Sequence, residues 1–399
     1  MIGTMQAAPR FQAVAGLAFF RFGFRPFFLG AGVWALVAVA IWLAAFRGLV
    51  SIPTAFDPVA WHVHEMLFGF VAAAIAGFLL TAVPNWTGRM PIRGVPLAVL
   101  FALWVIGRVA VTTSGLIGAG VAAALDLSFL ALLLGLVARE IVAGRNWRNV
   151  PITIVLAVLL LANVLIHAEA VGHASTGPLG QRLGIAVVVL LINLVGGRII
   201  PSFTANWLKK RGEARLPAGH DALDGGALAV LLLALAAWVA APGGFAAGVG
   251  LIAAGVLAFI RVARWRGHRT LSEPLVWSLH LGFAWVPVGL LLTGTSLVIP
   301  SLPATAGIHA LTAGAMGSMT LAVMTRATLG HTGRALAADR WTAAIYLLVA
   351  TAALLRIAAP LLTEAYLPLL WASGVAWIAA FGTFAVRYGR LFLTSEARA

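Results

Sequence analysis

The stretch DPVAWHVHEMLFGFVAAAIAGFLLTAVPNWTGR, residues 57–89, decides the fold. Asp57 followed by Pro58 is a helix start, with a capping carboxylate ahead of a proline at the first helical position. From 60 to 83 the chain is then almost wholly apolar, long enough as a helix to cross about 30 Å of hydrocarbon. Pro84, Asn85 and Gly88 follow, residues that stop helices. The span also carries His62, His64 and Glu65 in its first turns. Ionisable groups are costly in lipid, so they mark chemistry rather than anchoring.

Runs of the same kind recur near 27–46, 60–83, 95–112, 116–138, 150–170, 181–200, 222–241, 245–263, 275–297, 305–325, 342–360 and 366–386. They predict an all-α integral membrane protein of twelve transmembrane helices. The composition agrees, at 62% hydrophobic and 10% charged. Soluble domains hold about 45–50% apolar and about 25% charged residues, so a soluble enzyme is excluded. With no cysteine, disulfides, zinc–thiolate sites, iron–sulfur clusters and thiol nucleophiles are excluded too.

The chain carries 27 Lys+Arg against 12 Asp+Glu, a net charge of +15. The basic residues sit in short loops instead of on one soluble face, so the expected partner is membrane lipid and not nucleic acid. Both tails, the loops after the even-numbered runs and the last turns of the sixth and eighth runs hold 23 of the 27, while the odd loops hold only Arg47 and Arg182. Lys and Arg stay on the cytoplasmic side, so both termini are expected there. The expected organisation is a cytoplasmic segment 1–26, a membrane domain 27–386 and a cytoplasmic tail 387–399. Arg10, Arg21 and Arg25 precede the first run with no small-residue cleavage site after it, so no cleaved leader is expected.

The ionisable residues inside the runs collect toward the end opposite the basic loops. Neighbours two apart on a helix point about 200° away from each other, so His62 and His64 face opposite ways and suggest two neighbouring sites. Glu65 shares a face with His62. His167 and Glu169 close the fifth run, with Asn163 one turn below, and His309 opens the tenth. Imidazoles commonly bind haem iron and copper, which makes His62, His64, His167 and His309 metal-ligand candidates. A proton relay would use the same residue types, with Glu65 and Glu169 as its carboxylates. Arg108 and Arg356 either snorkel to the interface or clamp acidic groups such as haem propionates. Asp126 and Asn193 lie near mid-membrane, as proton-path residues or interhelical hydrogen bonders. His280 is the best candidate at the basic end. The segments from Val83 and from Gly196 read as helix stops. One faint repeat joins two runs: His64 to Arg89 and His309 to Arg334 are equally long and match at six of 26 positions.

Taken together, FRPFF (24–28), WHVHEMLFGF (61–70), GFLLTAVPNWTGR (77–89), GRIIPSFT (197–204), LHLGFAW (279–285) and MTRATLGHTGR (324–334) resemble the NnrS family of bacterial membrane proteins. That resemblance covers nearly the whole chain. It implies a multi-pass inner-membrane protein containing haem b and copper, linked to nitric oxide metabolism and protection against nitrosative stress. The twelve runs also resemble subunit I of the haem–copper oxidases and nitric oxide reductases. By that analogy His64 and His309 are axial ligands of one haem, with Arg108 or Arg356 near its propionates. His62, Glu65 and His167 then contribute to a second metal site. Runs six and seven hold no histidine, so the usual copper ligands of those enzymes are absent. The expected function is binding and reduction of nitric oxide, an oxidoreductase fed by quinol or a periplasmic redox protein. Its rivals are a non-catalytic haem protein that sequesters or senses nitric oxide and a twelve-helix secondary transporter.

Overall fold

A computed structural model describes residues 17–394. The expected tails therefore fall outside the described residues over 1–16 and 395–399. Among the described residues there are twelve helices long and apolar enough to cross a membrane, and no strand. In chain order they are α1 Phe24–Phe46, α2 Pro58–Thr87, α3 Val95–Thr112, α4 Ala119–Ala143, α5 Trp147–Ala170 and α6 Gly177–Lys210. The second six are α7 Ala222–Ala240, α8 Phe245–Arg269, α9 Pro274–Val298, α10 Ala304–His331, α11 Arg340–Ala358 and α12 Thr363–Leu393. Hydrocarbon offers no partner for backbone N–H and C=O groups, and a helix pairs them all within one segment.

Asp57 starts α2 as its sequence predicts: Oδ1 accepts from the N–H groups of Val59 at 2.9 Å and Ala60 at 3.0 Å. Replacing it with Ala should cost about 1 kcal/mol. The expected readout is a lower melting temperature in detergent, and an unchanged one would mean that Pro58 and packing set this end unaided. One expected stop holds and the other does not. α2 runs past Pro84 but ends at Thr87, capped by Gly88, whereas α6 continues through Pro201 to Lys210. In α6 the physical reason is packing. Gly197 lies so close to Arg261 of α8 that a Cβ there would collide with Nη2, and such tertiary packing can carry a helix past a proline.

α2 is central, with 78% of its most apolar window buried against 33% in α4 and α7, which face the surroundings. α1 and α12 close the bundle on each other. Arg25 of FRPFF is buried and donates to the carbonyls of Phe392 at 3.3 Å and Thr394 at 2.6 Å, a cation on a helix C-terminus. Trp377 Nε1 donates to Ala35 O at 2.9 Å. Lipid gives helices little hydrophobic reason to associate, so close approach between small residues matters. Gly248 of α8 and Gly294 of α9 supply it: a Cβ on either would lie 2.9 or 2.7 Å from the other's carbonyl oxygen.

Two spans are irregular at the same place. The backbone is π-helical over Glu65–Val71 in α2 and over Ala310–Met316 in α10. Each segment starts right after an echoed histidine and contains an echoed glycine, Gly69 or Gly314. Each helix is followed by a glycine at positive φ, Gly88 at 70° and Gly333 at 67°. The faint sequence repeat therefore extends to the backbone. π segments change which way the following side chains face and cluster at functional sites. Trp104 Nε1 supports the first by donating to Gly69 O at 2.9 Å.

Candidate functional site

α1, α2, α10, α11 and α12 enclose a mostly apolar cavity of about 340 Å³ at the end of the bundle away from the basic loops. The cap at Asp57 places His62 one turn into α2, on the cavity wall. Its ring stacks on Trp42, with centroids 4.5 Å apart and planes at 30°. His309 enters the same cavity from the start of α10, and Arg356 from α11. His309 Nδ1 lies 2.7 Å from the carbonyl of Thr305. A carbonyl only accepts, so Nδ1 carries the proton, and the neutral ring keeps its lone pair on Nε2. His62 Nδ1 and Arg356 Nη1 are buried without a hydrogen-bond partner. Orphaned buried nitrogens are costly and call for an occupant.

A second site lies on the opposite face of α2. Its members are His64 and Glu65 of α2, Arg108 of α3, Asp126 of α4, and Asn163 and His167 of α5, none more than 2% exposed. His64 Nδ1 is 3.0 Å from Glu65 Oε1, and its Nε2 is 3.0 Å from Asn163 Oδ1 and 3.2 Å from Asp126 Oδ2. His167 Nε2 lies 3.0 Å from the same Asp126 oxygen, to which Asn163 Nδ2 donates at 2.8 Å. Arg108 donates from Nη1 to Glu65 Oε2 at 2.7 Å and from Nη2 to Asp126 Oδ1. Gly107 lets α4 approach, since a Cβ there would sit 2.9 Å from Asp126 Oδ1. Phe56 covers both imidazoles from the preceding loop, at centroid distances of 5.4 Å to His64 and 5.6 Å to His167.

The two histidines of α2 thus serve different sites, as their angular separation suggests. His62 joins His309 and Arg356, while His64 joins His167, Arg108 and Glu65. The structure does not bring His64 to the cavity that His309 lines. Glu65 sides with His64, not His62, because its Oε1 faces His64 Nδ1 and Arg108 of α3 holds its Oε2. Glu169 lies in neither site; its Oε2 accepts from Gly177 N at 2.8 Å and caps α6. His280 is at the basic end, with Nε2 2.8 Å from Thr204 Oγ1.

Sequence reasoning missed the cavity residues Trp42, Met66, Met316 and Tyr366, which are indistinguishable from ordinary apolar lining. Asp126 was legible as a polar group in lipid, but its partners on α2, α3 and α5 were not. Asn193 is an interhelical hydrogen bonder: Arg261 donates to its Oδ1 at 3.2 Å and to Asp224 Oδ1 at 2.8 Å. Arg261 reads in sequence as one more cation at the basic end of its run.

No curated protein matches the chain. A family model described as NnrS protein matches residues 18–395.

Proposed function

The chain belongs to the NnrS family, which is linked to nitric oxide metabolism, and from that premise we propose that it is a haem-bearing redox protein of a bacterial inner membrane that binds nitric oxide. The observation that supports this reading is the apolar cavity in which His62, His309 and Arg356 meet. Its volume lies within the ~300–1,000 Å³ typical of cofactor and ligand sites. A b-type haem is flat and largely apolar, is held by imidazole nitrogen, and carries propionates that suit a guanidinium. The residues fit it: the orphaned nitrogens of His62 and Arg356 and the fixed tautomer of His309 answer those needs. His62 and His309 would hold the iron and Arg356 a propionate, while Trp42, Met66 and Met316 exclude water. When bound, the haem would supply an iron that passes single electrons and that takes up the gas once one of the two imidazoles yields its place.

Nitric oxide is small, neutral and apolar, so it reaches such a cavity through the bilayer. A second, apolar cavity of about 90 Å³ between α1, α2, α6 and α10 shares Val71 and Met316 with the first and offers the route. Reduction joins two nitric oxide molecules with two electrons and two protons to give nitrous oxide and water, the electrons coming from quinol or a periplasmic redox protein. A specific observation favours the second reading, binding without turnover: among the described residues no carboxylate lines the cavity. Glu65 is tied to Arg108 and His64, and Glu169 to the start of α6.

Nitric oxide uptake by the purified protein with a quinol analogue separates the two. Consumption over many equivalents supports reduction, and uptake that stops at a stoichiometric amount supports sequestration. Protein isolated with neither Soret absorbance nor metal contradicts both and favours a transporter. The copper implied by the resemblance does not fit the three residues expected for it. His62 lines the cavity, whereas Glu65 and His167 lie in the polar cluster, so these three form no common ligand set.

A further inference from the structure

The polar cluster on the other face of α2 has its own chemistry. We propose that His64 Nε2, His167 Nε2 and Asp126 Oδ2 bind a divalent first-row transition-metal ion at a site separate from the cavity. The three residues arrive from α2, α5 and α4, all are buried, and the ligand atoms lie within 4.8 Å of one another. Asp126 Oδ2 is 3.0 Å from one imidazole Nε2 and 3.2 Å from the other. Ligands bound at ~2.0–2.2 Å around a tetrahedral ion stand about 3.3 Å apart, close to that spacing. Asn163 Oδ1, 3.0 Å from His64 Nε2, completes the set as a neutral oxygen. Two imidazoles with carboxylate and amide oxygen suit borderline ions such as Cu(II) and Zn(II), and not hard ions that prefer all-oxygen shells.

Charge points the same way. Glu65 and Asp126 bring two carboxylates and Arg108 one guanidinium, so the dry site needs one more cation, which a bound ion supplies where the imidazoles are neutral. An uncompensated charge there is strongly unfavourable. The surroundings also resemble the support that metal sites receive. His64 turns its other nitrogen to Glu65 Oε1 at 3.0 Å, the carboxylate–histidine pairing that orients a ligand and raises its basicity. Arg108 then fixes both carboxylates, Glu65 through Oε2 and Asp126 through Oδ1, leaving Asp126 Oδ2 toward the imidazoles. Phe56 closes the loop side.

The inference does not depend on a haem in the cavity. Full-length protein is produced in medium supplemented with Cu(II), purified in detergent, desalted, and studied by metal analysis and electron paramagnetic resonance. The expected result is one ion per chain whose spectrum carries coupling to two imidazole nitrogens. The His62→Ala/His309→Ala double variant should keep this ion and its spectrum even as any haem is lost, so failure of the cavity reading stays distinguishable. His167→Gln and His64→Gln should each remove one nitrogen coupling and weaken the ion by about tenfold or more. Glu65→Gln, a positioning change, should weaken it about 10–100-fold while both couplings remain. Wild-type protein carrying no ion, or an ion without imidazole coupling, overturns the proposal. Isotope-labelled histidine spectra showing His64 protonated on both nitrogens do the same, because the imidazolium is then the missing cation. The wild-type spectrum decides even where a variant folds poorly.

Discussion

Purified His62→Ala and His309→Ala proteins are expected to retain the twelve-span fold and lose haem by at least about tenfold, with His64→Ala keeping its Soret band. The expectation follows from where the two faces of α2 point. His62 stacks on Trp42 and has an orphaned Nδ1 in the cavity. His309 faces it from α10 with the proton on Nδ1 committed to Thr305. Truncating either removes a nitrogen from the cavity and leaves the packing of α2 against α1 and α10 in place. His64 has both ring nitrogens engaged elsewhere. Optical spectra with a pyridine haemochrome assay read the result. Loss of haem in His64→Ala with retention in His62→Ala would restore the pairing that the sequence repeat suggests.

The largest effect on stability should come from Arg108→Leu. Its guanidinium is nearly inaccessible and joins Glu65 to Asp126. Removing one partner of a buried ion network leaves charge uncompensated, at a cost of about 3–5 kcal/mol. The variant makes the cluster more negative by one charge. Adding Glu65→Gln removes one negative charge and should recover part of the loss. Arg108→Lys should recover little, because a point charge cannot reach both carboxylates as the planar fork does. Thermal unfolding in detergent, followed by tryptophan fluorescence, measures the series. An Arg108→Leu protein that melts with the wild type would mean water reaches the cluster and screens it.

The spans were legible because hydrocarbon enforces them: α3 begins and ends where its apolar run does, at Val95 and Thr112. Less legible were ends where packing overrides local signals, such as α6 running on to Lys210 past Pro201. The opposite faces of His62 and His64 followed from helical geometry alone. The partner of each did not, since it depends on which spans surround α2, and neither π segment has a sequence signature. The repeat aligns His64 with His309, yet the cavity pairs His309 with His62, two residues earlier. That offset reverses the face and moves the cofactor expectation from one site to the other. Glu169 illustrates the converse case, a carboxylate in a suggestive place whose contact is a helix cap.

An experimental density map of the purified, detergent-solubilised protein is the most direct measurement. Planar density between His62 and His309, with its acidic edge against Arg356, is the result expected here. A cavity filled by an acyl chain, or a porphyrin lodged against His280 at the basic end, would contradict it.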